Sequence, residues 1–189
     1  MADFINTIDA LGDVVVTDSI IDRTIMEFKD DQITKIGSHA FHGCTALDTI
    51  ECPNVISTES YVLAGTGVTE LRLGLLKTVA ANAFRNCSTL AVVDLPVCTA
   101  FGGYCFAHDT GLKTLILRSE TICTNPGSMF YLATTAPICS GTGYIYVPAA
   151  LVDSYKAATN WSTYADQFRA LEDYTVDGTT TGALDETKI

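Results

Sequence analysis

The sequence predicts an α/β solenoid, in which short repeated coils stack and place a parallel β-sheet on one face. The main observation is an apolar pattern centred on Leu90–Pro96, whose copies follow one another at steps of 21, 22 and 22 residues. A fixed period in this range is typical of solenoids. The alternation that ends each copy predicts a short strand, paired in parallel with the same strand of the next copy. The recurring triplets are Leu47/Ile50/Cys52, Val68/Leu71/Leu73, Leu90/Val93/Leu95 and Leu112/Leu115/Leu117.

The composition excludes several classes of function. With 48% apolar and 17% charged residues, the chain is expected to fold around a core. A net charge of −11 repels phosphate backbones and anionic lipids, so we expect no nucleic-acid partner. No apolar run approaches the roughly 20 residues of a membrane span, so we expect no membrane insertion. Residues 1–9 lack a basic region and a continuous apolar stretch, which predicts no cleavable secretion signal.

Four parts are predicted along the chain. Residues 1–32 match no repeat and are expected to form an N-terminal cap, because an end repeat otherwise leaves its core open to water. Residues 33–148 carry the repeats, the fifth of which is interrupted by a longer loop before a last strand over 144–148. Residues 149–174 are predicted to form a helical C-terminal cap, with an amphipathic helix over 149–158. The polar residues 175–189 are expected to be an extended tail or an arm that orders against a neighbour.

The predicted core contains a column of large apolar side chains from the turn opposite the sheet. These are Phe41, Leu63, Phe84 and Phe106. The seven cysteines are interpreted as small, buried, reduced side chains, three of which (Cys44, Cys87 and Cys105) fall at inward repeat positions. The chief exception is a possible disulfide between Cys123 and Cys139 across the interrupted repeat.

One repeat reads Ile36-Gly37-x-x-Ala40-Phe41-x-Gly43-Cys44-x-x-Leu47-x-x-Ile50-x-Cys52-Pro53. This pattern resembles the BspA-type leucine-rich repeat. The resemblance implies a right-handed solenoid with a parallel sheet on one face, and a binding or adhesion role on bacterial, protist or viral surfaces. The second copy departs from the pattern, with Leu63 for the aromatic residue and Gly65-Thr66-Gly67 for the Gly-Cys turn. That departure predicts a bulge or altered curvature.

Residues 144–162 are similar to the closing segment of such repeat proteins encoded by tailed phages and prophages of gut bacteria. This similarity favours a phage virion protein of the tail or capsid, whose partners are other virion proteins or a host cell-surface protein or glycan. It also allows a homo-oligomer. The alternative is a bacterial cell-surface or secreted adhesin-type module, which would carry an export signal or an anchor.

No catalytic site is predicted. The sequence lacks a nucleophile elbow, a phosphate-binding loop and a dinucleotide motif. Acidic pairs on a regular solenoid form a ladder, whereas glycosidases need two carboxyl groups facing each other across a cleft. His39, His42 and Cys44 lack zinc-ligand spacing, so no metal and no cofactor are expected.

Two surfaces are candidates for partner binding, and the sequence does not choose between them. On the sheet face, Arg72 would lie between Glu51 and Asp94, as a cross-strand ion triplet or as part of a partner surface. The outer turns offer aromatic and basic side chains, which are common anchors of interfaces. The sheet-face candidates are Thr49, Glu51, Glu70, Arg72, Asp94 and Thr114, and the outer-turn candidates are His39, His42, Tyr61, Arg85, Tyr104 and His108.

Overall fold

The computed structural model describes residues 7–8, 12–17, 22–171, 175–176 and 179–180. Its strands are short and its helices few. The strands are β1 (Thr7–Ile8), β2 (Val14–Val16), β3 (Glu27–Lys29), β4 (Lys35–Ile36), β5 (Thr49–Glu51), β6 (Ser57–Thr58), β7 (Glu70–Arg72), β8 (Thr78–Val79), β9 (Val92–Asp94), β10 (Ala100–Phe101), β11 (Thr114–Ile116), β12 (Tyr144–Val147), β13 (Phe168–Ala170), β14 (Thr175–Val176) and β15 (Thr179–Thr180). The helices are α1 (Pro137–Ser140) and α2 (Val152–Ala157), with 3₁₀ turns at Ala149–Leu151 and Ser162–Gln167.

The main face is a parallel sheet built from one strand of each successive coil. Five strands run in the order β7, β9, β11, β12 and β13, every neighbouring pair parallel. The predicted pairing of Leu71, Val93 and Leu115 is confirmed residue for residue. A separate parallel pair, β3 and β5, continues this face toward the N-terminus. Repeats, mostly parallel strands and few helices together fit a solenoid-like fold.

Two further ladders complete each coil. On a second face, β2, β4 and β6 pair in parallel, as do β8 and β10. On the outer turns, the N–H of each core-column residue donates to a carbonyl of the next coil. These bonds run from Phe41 to Val62 (2.8 Å), Leu63 to Ala83 (2.9 Å), Phe84 to Cys105 (3.0 Å) and Phe106 to Met129 (2.9 Å).

The predicted apolar column forms the centre of the core. Its four members are at most 1% exposed. The rings of Phe84 and Phe106 lie 5.5 Å apart between centroids, and Phe130 extends the stack 5.8 Å beyond Phe106. Burying an aromatic side chain contributes about 2–3 kcal/mol by area transfer, so the column couples each coil to its neighbours.

Both sheets are interrupted at the same level of the stack. Across residues 22–171, no backbone hydrogen bond joins β5 to β7 or β6 to β8. The unbroken ladder expected through positions 50, 71, 93 and 115 is therefore wrong between Ile50 and Leu71. The outer-turn ladder does cross this level, because the N–H of Leu63 donates to Ala83 of the next coil. At this level the coils are joined by backbone hydrogen bonds at the outer turns but not between the sheet strands.

A missing residue accounts for this opening. Leu47 follows Phe41 by six positions, but Val68 follows Leu63 by only five. Each extended residue spans about 3.3 Å. Because the connection from the Leu63 turn is one residue shorter, β7 begins closer to that turn than the strands of the other coils begin to theirs. β7 keeps its register with β9 and loses β5. The irregularity predicted for the second copy is an open sheet edge.

The ends of the chain depart from the predicted divisions in detail. β3 lies within the residues assigned to the N-terminal cap, yet it pairs like a repeat strand and buries Phe28 4.7 Å from Phe41 between ring centroids. The helix expected over 149–158 is a 3₁₀ turn followed by α2. The strand expected over 144–148 is β12. Apart from β14 and β15, the tail predicted over 175–189 lies outside the described residues, as do residues 1–6, 9–11, 18–21 and 172–174.

Gly111 allows consecutive coils to approach closely, so Gly111→Ala is expected to destabilise the protein by about 2 kcal/mol. A Cβ added there would lie 2.4 Å from the Ser88 carbonyl oxygen, which belongs to the backbone and cannot rotate away. Urea unfolding measures the loss. Gly74→Ala is the matched control, because a Cβ at Gly74 would meet nothing within 4 Å. Equal effects of the two changes would contradict this packing.

Candidate functional site

The open edge between β5 and β7 forms a cleft of about 410 Å³ on the sheet face. Four of the six sheet-face candidates line it together: Thr49, Glu51, Glu70 and Arg72. Asp48, Ile50, Pro53 and Thr69 complete its wall. The cleft is mostly polar, and its ionisable groups are three acids and one arginine. The structure thus concentrates these candidates in one place, at the break that a missing residue creates.

Arg72 is in register with Asp94, as predicted, but the salt bridges of Glu51 and Asp94 are formed with other residues. Glu51 pairs with Lys29 of the preceding coil at 2.9 Å, and Arg72 reaches Glu70 of its own strand at 3.7 Å. Asp94 instead forms a bidentate salt bridge with Arg118, accepting from Nε (3.3 Å) and Nη2 (2.7 Å) of the guanidinium group. Loss of the β5–β7 ladder removes the register that would align Glu51 with Arg72, whereas Arg72 and Asp94 remain in register. Hydrogen bonds to Glu27 and then Glu51 raise the pKa of the exposed Lys29 to about 12.

In the distal half of the sheet face three outward-facing residues are buried, while Tyr144 on the same face remains 37% exposed. Thr114 is 9% exposed, Asp94 5%, and Ile116 0%, although their columns point away from the core. Tyr144 and Tyr146 follow in β12, and the Arg169 guanidinium carbon lies 4.5 Å from the Tyr144 ring centroid. Asp94 is the register partner of Arg72 on the next strand, but neither it nor Thr114 lines the cleft. Alternation of apolar and polar residues predicts on which face of the sheet a side chain lies, but it does not predict how exposed that side chain is.

Four of the six outer-turn candidates, all except His42 and Arg85, occupy left-handed backbone positions. Left-handed φ values near 60° recur once per coil at one column and again four residues later at a second. Asparagine and histidine tolerate this region, whereas tyrosine is unusual there and costs about 1–2 kcal/mol. The first column is His39, Tyr61, Asn82 and Tyr104, and the second is Gly43, Gly65, Asn86 and His108. Strain of this kind clusters at functional sites.

The first outer-turn cluster is formed by His39, His42 and Tyr61. The rings of His39 and Tyr61 are stacked with their centroids 4.9 Å apart. His42 meets both edge-on, at 5.5 Å from His39 and 6.3 Å from Tyr61. Ser38 Oγ lies 2.8 Å from Nδ1 of His39 and helps to orient that ring. Stacking fixes these side chains before any partner arrives.

A second cluster gathers the other three candidates with two residues that the repeat pattern did not single out. Arg85 donates to Asn82 (3.2 Å) and toward Nε2 of His108 (3.4 Å). Tyr131 packs against Tyr104 at 5.3 Å and His108 at 6.3 Å between centroids. Tyr131 and Leu132 are 49% and 54% exposed. The sequence analysis missed Tyr131 and Leu132 because the fifth repeat is interrupted. Aligning Phe130 with Phe106 of the core column would have placed both residues on the outer turn.

Asp109 is the main buried group that sequence reasoning overlooked. It stands where earlier coils have Cys44, Thr66 and Cys87, and it is fully buried. One carboxyl oxygen accepts the Cys87 N–H at 2.7 Å. The other has no hydrogen-bond partner among the described residues. Burial raises the pKa of Asp109 to about 9, so the carboxyl is protonated at neutral pH.

The cysteines follow the predicted pattern with one correction, which concerns the disulfide. All seven are free thiols, six of them buried and Cys139 half-buried. Cys105 is inward as expected, but it occupies the Ala40 and Ala83 column and not that of Cys44. The Cys123–Cys139 disulfide is wrong. The sulfur of Cys123 lies 3.5 Å from Cys98, which belongs to the preceding coil.

The described residues offer a surface for recognition. Within them, no group of three or more histidine, cysteine, aspartate or glutamate side chains is arranged to hold a metal ion. The search for membrane-crossing helices over the same residues finds none of sufficient length and hydropathy. The arrangement supplies stacked rings, an arginine and a polar cleft, which suit binding of a macromolecular surface.

Comparison with known proteins supports this interpretation. No curated protein matches the chain at a significant level. The model of the BspA type leucine rich repeat region matches residues 22–133 in six copies, which is more than half of the chain. The match begins before Ile33, in agreement with the pairing of β3 in the stack. The chain therefore belongs to the BspA-type leucine-rich repeat family and carries a protein–protein interaction domain.

Proposed function

We propose that this protein is a non-enzymatic virion component of a tailed phage, and that it binds a partner protein through its outer turns. The binding surface comprises the two clusters described above: His39, His42, Tyr61, Arg85, Tyr104, His108, Tyr131 and Leu132. Membership of an interaction-repeat family supports a binding role. The virion location is supported by the similarity of residues 144–162 to closing segments of phage-encoded repeat proteins.

The observation that carries the choice of surface is a pair of tyrosines held in left-handed backbone, of which Tyr104 is exposed and Tyr61 is half-buried. Tyr61 and Tyr104 have φ values of 60° and 62°, where asparagine occupies the same column in the third coil. A protein under selection for stability alone would favour asparagine or glycine there. Retaining a bulky aromatic side chain at such a position is an energetic cost that partner contacts can offset.

The charge of this surface also distinguishes it from the rest of the protein. The chain has a net charge of −11, yet all three of its histidines and Arg85 lie on the outer turns. No aspartate or glutamate is among the eight residues of the surface. A partner can therefore approach it with less repulsion than it meets elsewhere. The sheet face, by contrast, has an acidic cleft, and its outward-facing Asp94, Thr114 and Ile116 are buried.

The proposal predicts that Tyr61→Asn combined with Tyr104→Asn weakens partner binding at least tenfold without reducing stability. Asparagine relieves backbone strain but removes two aromatic anchors. The gene would first be deleted from the strain that carries it, and virions would be induced from the deleted strain. Labelled protein would then be titrated onto these virions and, separately, onto intact host cells. Thermal unfolding of each variant monitors stability. Leu75→Asn is the control, because Leu75 is 44% exposed and lies off this surface.

Several results would contradict the proposal. Binding to neither virions nor cells excludes the virion role, and binding to cells alone favours the adhesin alternative. Binding that survives protease treatment of the target but not glycosidase treatment identifies a glycan and not a protein. If Leu75→Asn weakens binding as much as the tyrosine changes, the outer turns are not the binding surface.

A further inference from the structure

Two buried thiols from successive coils face each other near the C-terminal end of the stack. The sulfur atoms of Cys98 and Cys123 are 3.5 Å apart, and both side chains are 0% exposed. Elsewhere in the stack a buried thiol can instead contact oxygen atoms, as Cys87 does with the Thr66 hydroxyl and the Leu63 carbonyl.

The backbone holds both cysteines in place. Cys98 precedes β10, and Cys123 precedes Thr124, which bridges to Ala100 of that strand in parallel. Hydrogen bonds from Thr124 N–H to Thr99 (2.9 Å) and from Phe101 N–H to Thr124 (3.0 Å) fix the spacing of the two segments. This bridge places Cys123 opposite Thr99, one residue from Cys98, so a strand spacing of about 4.8 Å and an offset of about 3.3 Å give a Cα separation of about 6 Å, which a disulfide can bridge.

The C-terminal segment holds Cys123 from the other side. The Cys123 N–H donates to the Tyr155 hydroxyl at 2.8 Å, and its carbonyl accepts from Trp161 Nε1 at 2.6 Å. Both aromatic side chains are buried. Movement of the Cys123 backbone away from Cys98 would break these bonds, so the thiols remain paired as long as this end of the stack is folded.

We propose that Cys98 and Cys123 are a redox-sensitive pair, which a hydroperoxide converts into an intramolecular disulfide between the fourth and fifth coils. In the first step the Cys98 thiolate attacks an oxygen of hydrogen peroxide, the O–O bond breaks, and protonation of the leaving hydroxide gives water and a Cys98 sulfenic acid. In the second, the Cys123 sulfur attacks the Cys98 sulfur. The S–O bond breaks, and hydroxide leaves with the Cys123 proton as water. Two thiols and one peroxide yield one disulfide and two waters.

The hydrogen bond between the sulfurs favours Cys98 as the first to react. Donation from the Cys123 thiol lowers the pKa of Cys98, whereas the same contact and burial raise the pKa of Cys123. Burial raises the pKa of Cys52 to about 12 and that of Cys139 to about 11. Since the thiolate is the reactive form, these neighbours are poorer nucleophiles.

The test treats the full chain with hydrogen peroxide or with a phosphine reductant, unfolds it, and alkylates the remaining thiols. Trypsin and chymotrypsin then separate the cysteines, since cleavage after Tyr104 divides Cys98 from Cys105 and cleavage after Phe130 divides Cys123 from Cys139. We expect a cross-linked Cys98–Cys123 peptide whose mass is about 2 Da below the sum of the two unalkylated thiol peptides, because two hydrogen atoms are lost. The oxidised protein should unfold at higher urea concentration than the reduced form, because the disulfide restricts its unfolded state.

Controls distinguish this pair from general oxidation. Cys98→Ser and Cys123→Ser should each abolish the cross-link, while Cys52→Ser, at another buried position, should retain it. Recovery of both Cys98 and Cys123 as alkylated thiols after prolonged peroxide treatment of the wild-type protein overturns the proposal. So does a dominant cross-link between any other two cysteines. The wild-type peptide map decides the question even if a serine variant fails to fold.

Discussion

Trp161→Ala is expected to lower the free energy of unfolding by about 4 kcal/mol, the typical cost of removing a fully buried tryptophan. Trp161 is 1% exposed and contacts Phe101, Tyr155 and Phe168 with ring centroids 6.2, 5.6 and 5.8 Å away. Its loss also leaves the Cys123 carbonyl without the indole N–H that donates to it. The change therefore removes packing and a hydrogen bond at the junction between the C-terminal segment and the last coils.

Urea unfolding followed by circular dichroism measures this loss, because Trp161 is the sole tryptophan and the variant has no indole fluorescence. Trp161→Phe is the control that separates the two contributions. It keeps an aromatic ring and removes the donor, so we expect a loss of about 1–3 kcal/mol. A loss below about 1 kcal/mol for the alanine variant would mean that the C-terminal segment does not stabilise the stack.

Asp109→Asn is expected to raise the free energy of unfolding by about 3 kcal/mol at pH 8 and to flatten its dependence on pH. The folded-state pKa of Asp109 is raised to about 9 from an ordinary value of 3.8. Between these values the folded protein keeps the proton and the unfolded chain has lost it. Stability is then full below about pH 4 and falls as pH rises toward 9. Asparagine can still accept the Cys87 N–H but has no proton to lose.

Urea unfolding of both proteins at several values from pH 5 to pH 9 tests this prediction. The difference between them should grow with pH, by at most about 1.4 kcal/mol per unit. Asp48→Asn is the control, because it removes the same formal charge from an exposed side chain and should change stability by less than about 0.5 kcal/mol. A difference between wild type and Asp109→Asn that is constant across this range would contradict a protonated carboxyl.

Periodicity predicted the parts of the fold that depend on one repeated choice of residue. The core column from Phe41 to Phe106, the parallel register of Leu71, Val93 and Leu115, and the buried cysteines all follow from spacing. These predictions are reliable because a side chain that is inward in one coil is inward in the next. The departure of the second copy was also visible, as Leu63 in place of the aromatic residue and Gly65-Thr66-Gly67 in place of the Gly-Cys turn.

The candidate surfaces could be predicted as sets of residues but not as sites. Six outer-turn residues were named from their types and columns, and the structure divides them into two clusters completed by Tyr131 and Leu132. The sheet-face set was divided as well, since four members line the cleft while Asp94 and Thr114 are buried. A column specifies a direction, whereas exposure depends on what other segments lie nearby.

The sequence alone determined the repeat, the direction of each side chain and the family, because these depend on local spacing and apolar periodicity. Tertiary structure decided where the sheet opens, which acid meets which arginine, and how deeply Asp109 and Ile116 are buried. It also decided that Cys123 faces Cys98 and not Cys139. These features depend on distances between coils, and a difference of one residue in a connection changes them while leaving the pattern of each coil intact.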